Sequence, residues 1–211
     1  MKAGKIGLAV QTAALALLIP AAAYAGELED KIAYCKSCHG ARGQGFLGYY
    51  TVPRLAGQQV QYIKNVFKAL EGHTRDNPTA KKFMVPAEGS IKPDMQAALA
   101  KYLNGLDAPP AGDGPRDLVA EGKKIYEQGV PDANVPACAA CHGADAKGTE
   151  ATPRLAGQHY SYLAAQLMGW KKGYRSQDPV SQGAPNTMQP IAADLTKEQI
   201  AAVAAYLSFV M

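Results

Sequence analysis

Cys35-Lys36-Ser37-Cys38-His39 and Cys138-Ala139-Ala140-Cys141-His142 contain all four cysteines of this 211-residue chain. Each places two thiols one helical turn apart, with an imidazole directly after the second. That spacing suits covalent attachment of a c-type haem, in which the thiols form thioethers to the porphyrin and the histidine falls under the iron. Other chemistries also use C-x-x-C. Two pairs can bind zinc, one pair can act as a thioredoxin-like redox couple, and exported proteins tie cysteines into disulfides. None of these requires a histidine after both pairs, and no β-α-β pattern accompanies either. The expected cofactors are two covalently bound haem c groups on Cys35, Cys38, Cys138 and Cys141. His39 and His142 are the expected axial iron ligands.

The opposite axial position decides between electron transfer and ligand chemistry, because a methionine thioether there saturates the iron and raises its potential. Beyond residue 25 the methionines are Met84, Met95, Met168, Met188 and Met211. Met84-Val85-Pro86 and Met188-Gln189-Pro190 stand at matching places, each ahead of a closing helix. Met84 and Met188 are therefore the expected ligands. Met95 competes with Met84, and its counterpart Gln199 points to a packing role. Met168, within Leu167-Met168-Gly169-Trp170, reads as helix packing.

The elements that must position these groups come in two copies. Pro53-Arg54-Leu55-Ala56-Gly57-Gln58 recurs letter for letter as residues 153–158, and Tyr62 recurs as Tyr162. The order C-x-x-C-H, PRLAGQ, methionine, closing helix holds in both halves. The chain accordingly divides into residues 26–106 and 117–211, each of ordinary domain size, with a Pro/Gly-rich linker at 107–116 that offers little to bury. Ahead of them, Lys2 and Lys5, an apolar stretch to Ile19 and Ala23-Tyr24-Ala25 form a secretory signal over residues 1–25, cleaved after Ala25. That places the mature protein in the periplasm.

Periodicity is helical throughout and the expected fold is all-α. Ile63, Val66, Phe67 and Leu70 lie on one face, as do Leu163, Leu167 and Trp170. Ile200, Val203, Ala204 and Leu207 form the face of a last helix, which Thr196 and Gln199 open as a capping box. Pro93 opens its counterpart. Leu118 to Tyr126 forms a further helix with Asp117 as its cap. No run alternates with the period of a strand.

This arrangement resembles the cytochrome c4 family of di-haem class I cytochromes c over essentially the whole chain beyond residue 25. The resemblance implies two tandem cytochrome c domains with His/Met ligation, carrying electrons in the periplasm to an acceptor such as a terminal oxidase. It also implies that the Pro53 and Pro153 carbonyls accept a bond from the ligating histidines, orienting each ring. Arg54 and Arg154 are candidates for pairing with haem propionates, against the plainer reading of solvated surface arginines. Tyr62 and Tyr162 divide between porphyrin contact and core packing. His73 and His159 have no repeat partner and read as bland. Gly43, Gly45 and Gly148 read as turn residues.

Lys2 and Lys5 contribute two of the net +4 charges. Residues 26–106 carry 11 basic against 7 acidic residues, and residues 107–211 carry 9 against 11. The halves thus present opposite charge to partners. No basic-aromatic interleaving supports nucleic-acid binding. The expected partners are redox proteins, and peripheral membrane association stays open. The competing functions are the haem subunit of a periplasmic dehydrogenase and, less favoured, a haem enzyme. An enzyme needs an open iron, whereas both halves offer a methionine and no cysteine is left over.

Overall fold

The computed structural model describes residues 19–75, 77–175 and 188–211, with side chains from residue 26. Residues 1–18 of the expected signal segment lie outside them. The first half runs α1 (Ile19–His39), α2 (Val60–Glu71), a π turn (Ala80–Met84), α3 (Val85–Glu88) and α4 (Pro93–Asn104). The second half opens with a 3₁₀ turn (Arg116–Leu118) and continues with α5 (Val119–Gln128), a second 3₁₀ turn (Pro131–Ala133), α6 (Ala139–His142), α7 (Tyr160–Lys171), α8 (Met188–Asp194) and α9 (Lys197–Phe209). Among the described residues β pairing is confined to isolated bridges, including Phe46 with Val52 and Thr149 with Thr152.

Each half closes over its own apolar core. In the first, Ile63 and Phe67 of α2 meet Met95, Leu99, Ala100 and Leu103 of α4, with Leu28 and Ile32 of α1 packed against them. In the second, Ile125 and Tyr126 of α5 meet Leu163 of α7 and Ile200, Val203 and Leu207 of α9. The apolar positions recur every three or four residues, so each helix turns one stripe inward. α5 and α9 cross so closely that a Cβ on Gly122 would lie 1.9 Å from the Ala202 carbonyl oxygen. Only glycine lets the backbones meet there.

The helix starts at Pro93 and at the Thr196 capping box are as expected. Thr196 accepts from the Gln199 amide while the Gln199 side chain accepts from the Thr196 amide. Two expectations need correction. Asp117 does not cap α5; it lies inside the 3₁₀ turn, and Leu118 occupies the cap position without a side-chain bond. Nor does the linker offer as little to bury as its composition suggests. Ala108 is buried, the Ala111 amide donates to the Gly157 carbonyl, and the Gly112 amide donates to the Ser208 carbonyl. Backbone bonding, invisible in side-chain composition, holds it down.

Candidate functional site

Each C-x-x-C-H ends a helix, α1 or α6, and the turn that follows is built alike in both halves. The Gly45 amide donates to the His39 carbonyl at 2.9 Å, and the Gly148 amide to the His142 carbonyl at 2.9 Å. The chain then returns through PRLAGQ, bringing the Pro53 carbonyl 2.9 Å from His39 Nδ1 and the Pro153 carbonyl 3.1 Å from His142 Nδ1. A carbonyl oxygen can only accept, so Nδ1 carries the ring proton and Nε2 keeps its lone pair. Both rings are buried. Burial lowers the affinity of each for a second proton, and the proline carbonyl opposes that only in part. Two neutral imidazoles therefore offer Nε2 as a donor, the state a metal ligand requires.

None of the four cysteines is paired in a disulfide. Burial pushes the Cys35 thiol up and the Cys138 thiol up to about 11. No cluster of three or more potential ligands among His, Cys, Asp and Glu occurs among the described residues. Beside Cys38 lies a cleft of about 310 Å³ lined by Ser37, Gly40, Gln44, Gly45, Phe46 and Val52. That is within the usual range for a cofactor site. Gly45, at φ +81, allows the close return of the chain, since a Cβ there would lie 2.5 Å from the Val52 carbonyl oxygen. Two cysteines outside any disulfide beside a fixed imidazole fit a covalently held planar group.

The methionines separate by environment. Met84 ends the π turn, half-buried, where α3 begins. Met188 opens α8 in the corresponding place and is also half-buried; its neighbours Asn186 and Thr187 lie outside the described residues. Met95 is completely buried, packed with Ile63, Phe67 and Leu99. Met168 packs against the second core.

The rest of PRLAGQ joins the two halves. The Gln158 side chain accepts from the Arg54 amide at 2.8 Å and donates to the Arg54 carbonyl at 2.9 Å. Gln58 does the same to Arg154, at 2.8 and 3.0 Å. The exchange is reciprocal, as a pseudo-twofold contact demands. Each histidine acceptor shares its peptide plane with one of these donors: the Pro53 C=O and Arg54 N–H belong to one peptide group, as do the Pro153 C=O and Arg154 N–H. The glutamines were not singled out in the sequence, although their identical setting in both hexapeptides was the available signal.

Arg54 is not a solvated surface residue. Arg54 is 4% exposed and donates to the carbonyls of Ala56, Ala108 and Pro109. Arg154 is half-buried and donates to the Ala156 carbonyl. Burial first, and Arg154 nearby, press the Arg54 guanidinium down to about 10, still cationic at neutral pH. Tyr162 accepts from Arg75, a buried residue of the first half that the sequence reading passed over. Tyr62 is half-buried and His73 exposed. His159 is less bland than expected: it is buried, its Nδ1 lies 2.9 Å from an Asp113 carboxylate oxygen, and Asp113 also accepts from the Tyr160 amide.

The "Cytochrome c" family model matches residues 119–210. A relative in Azotobacter vinelandii, "Cytochrome c4", is 31% identical over 90% of this chain and 90% of its own length. The chain belongs to the cytochrome c4 family. A cytochrome c4 structure from Acidithiobacillus ferrooxidans superposes with a TM-score of 0.73 at 36% identity, covering 83% of this chain and 98% of that one. The "Thiosulfate dehydrogenase electron acceptor" of Stutzerimonas stutzeri is 48% identical over 82% of this chain and 77% of its own length. As a cytochrome c4 the chain has two tandem class I cytochrome c domains, binds two haem c groups covalently and carries electrons.

Proposed function

We propose that this cytochrome c4 is a periplasmic electron carrier with divisions at 26–106, 107–116 and 117–211. Cys35 and Cys38 hold one haem, Cys138 and Cys141 the other. His39 with Met84, and His142 with Met188, are the axial ligands. The haems supply the one-electron couple, and the protein's work is to keep each ligand set unchanged as the charge changes. The Pro53 and Pro153 carbonyls fix the histidine rings and make Nε2 a stronger donor. Met95 fills the first core, which leaves Met84 as the first-half thioether. Arg54 and Arg154 bring two cations to one interface, and propionate carboxylates would relieve their repulsion. Were Met84 and Met188 to complete the ligand sets begun by His39 and His142, neither haem would keep an open position for a substrate, and the chain would serve to carry electrons.

The observation that carries this reading is the identical histidine–proline carbonyl bond in both halves, each leaving Nε2 as the free donor. The test is the near-infrared methionine-to-iron band of the ferric holoprotein, calibrated per haem. Two equivalents are expected. Met84→Ala and Met188→Ala each remove one, while Met95→Leu leaves both; loss of a band in Met95→Leu, or high-spin iron in the parent, overturns the assignment. The signal segment is tested by intact mass of protein from the periplasmic fraction, with Gly26 as the expected first residue.

The donor favoured by the similarity to the S. stutzeri protein is a thiosulfate dehydrogenase, and the acceptor is a terminal oxidase. Reduction by purified thiosulfate dehydrogenase with thiosulfate present is the expected result. Among the described residues no helix is long and apolar enough to cross a membrane.

A further inference from the structure

The duplication provides an internal control, and one surface departs from it. Between the bridged residues Phe46 and Val52 the first half has five residues, whereas between Thr149 and Thr152 the second has two. The longer loop is apolar and outward-facing: Phe46 is 63% exposed, Leu47 49%, Tyr49 94% and Tyr50 39%. It does not stand alone. Tyr50 meets the exposed ring of Phe83 edge-on at 5.0 Å and Tyr49 at 4.8 Å, and the Lys82 ammonium lies 5.3 Å from both the Tyr50 and Phe83 rings. In the second half the sequence places Thr149 opposite Phe46, and Asn186-Thr187 opposite Lys82-Phe83.

Holding a haem does not call for this surface, because the second half performs the same task without it. Contiguous exposed apolar patches on a soluble protein mark interaction sites, and aromatic residues are enriched at protein interfaces, with tyrosine among the residues that carry most binding energy. Phe46 also lines the cleft beside Cys38, so the patch adjoins a residue proposed to hold the first haem. Its half carries 11 basic against 7 acidic residues, the opposite sign to the other half.

We infer that Phe46, Leu47, Tyr49, Tyr50, Lys82 and Phe83 form the docking surface for a redox protein with an apolar centre and an acidic rim, so that partners engage the first half in preference to the second. The inference rests on the electron-carrier reading. The aromatic rings supply contact area that excludes water, and Lys82 supplies orientation and salt-dependent encounter. A membrane surface also accepts aromatic and cationic groups, but lying on it would cover the cleft beside Cys38.

The test uses the holoprotein in three forms: the parent, Tyr49→Ser/Tyr50→Ser, and a variant whose residues 47–51 are replaced by Glu-Ala, the length found in the second half. Affinity and second-order electron-transfer rate are measured with purified thiosulfate dehydrogenase and with solubilised cbb3-type oxidase; ferricyanide, too small to need docking, is the control. Both variants should lose about 10-fold or more in affinity and rate with at least one protein partner, as removal of central interface aromatics does, with ferricyanide rates and haem spectra unchanged. Lys82→Glu should weaken the same binding most at low salt. Undiminished affinity and rate with both proteins overturn the inference. So does loss in the variants only of binding to phosphatidylglycerol vesicles, or only of self-association in sedimentation. A parent that exchanges electrons with neither protein overturns the carrier reading itself, a result separable from any difference between parent and variants.

Discussion

Replacing Gln158 with alanine tests the join between the halves directly. The side chain is 5% exposed, and its oxygen accepts from the amides of Arg54 and His159 while its nitrogen donates to the Arg54 carbonyl. Truncation removes three hydrogen bonds and leaves two amide donors and a carbonyl unpaired in a buried seam. Each bond contributes about 1 kcal/mol net, and an unpaired buried group costs about 1–3 kcal/mol, so a loss of about 3–4 kcal/mol is expected. Gln58→Ala removes the mirror set, to Arg154 and Gln59, and should cost somewhat less because Gln58 is paired at a less enclosed position. If the seam acts as a unit, the double variant should lose less than the sum of the single losses, by about 0.5 kcal/mol or more. Guanidinium unfolding of the holoprotein, followed by far-ultraviolet circular dichroism and haem absorption, measures both quantities. In the double variant the halves should melt separately, giving two transitions where the parent gives one. A loss below about 0.5 kcal/mol for Gln158→Ala, with strictly additive effects, would refute the view that these bonds join the halves.

Gly122→Ala should destabilise the second half by about 1–3 kcal/mol or more, since its Cβ would press on the Ala202 carbonyl and push α5 off α9; thermal unfolding checks this. Thr196→Ala, which removes the hydroxyl of the capping box, should cost about 1 kcal/mol by the same assay. Glu88 is buried, and burial first and the charge of Glu71 second raise its pKa. The folded state thus holds that proton more tightly than the unfolded one, so this group's contribution is fully present at low pH and is lost as pH rises through the folded value. Glu88→Gln should therefore raise the melting temperature at pH 7, with the gain shrinking as pH falls below the ordinary carboxylate range. A gain that grows on acidification would contradict this assignment.

Much of the architecture was legible because covalent chemistry and duplication leave strong marks. The two C-x-x-C-H segments, the repeated PRLAGQ and the spacing of Ile63, Phe67, Leu163 and Ile200 locate the helices and the order of parts. The histidine–proline carbonyl bonds followed from the family resemblance, and their backbone acceptors have no letter of their own. What stayed hidden was tertiary. Gln58 and Gln158 look like any polar residue at the entrance of a helix until the halves are brought face to face. Arg54 read as either a propionate partner or a surface residue, because its partners are backbone carbonyls of Ala56, Ala108 and Pro109, which composition cannot reveal. Asp113, in a stretch read as spacer, caps α7 and holds His159, a pairing 46 positions apart in sequence. Charge and periodicity report what a residue prefers, whereas these contacts depend on where a distant backbone happens to pass.

The peptide groups joining Pro53 to Arg54 and Pro153 to Arg154 each work on both edges, one towards a histidine of their own half and the other towards a glutamine of the opposite half. A peptide group is a single conjugated dipole, so stronger donation into its oxygen makes its N–H a better donor in turn. Movement or polarisation of His39 is thus felt at Gln158, and of His142 at Gln58, without any helix shifting. The same two planes are held from both sides, by a ring of one half and a glutamine of the other. Two centres braced in this way share one frame, and a molecule whose task is to change charge and little else gains stiffness from having been doubled.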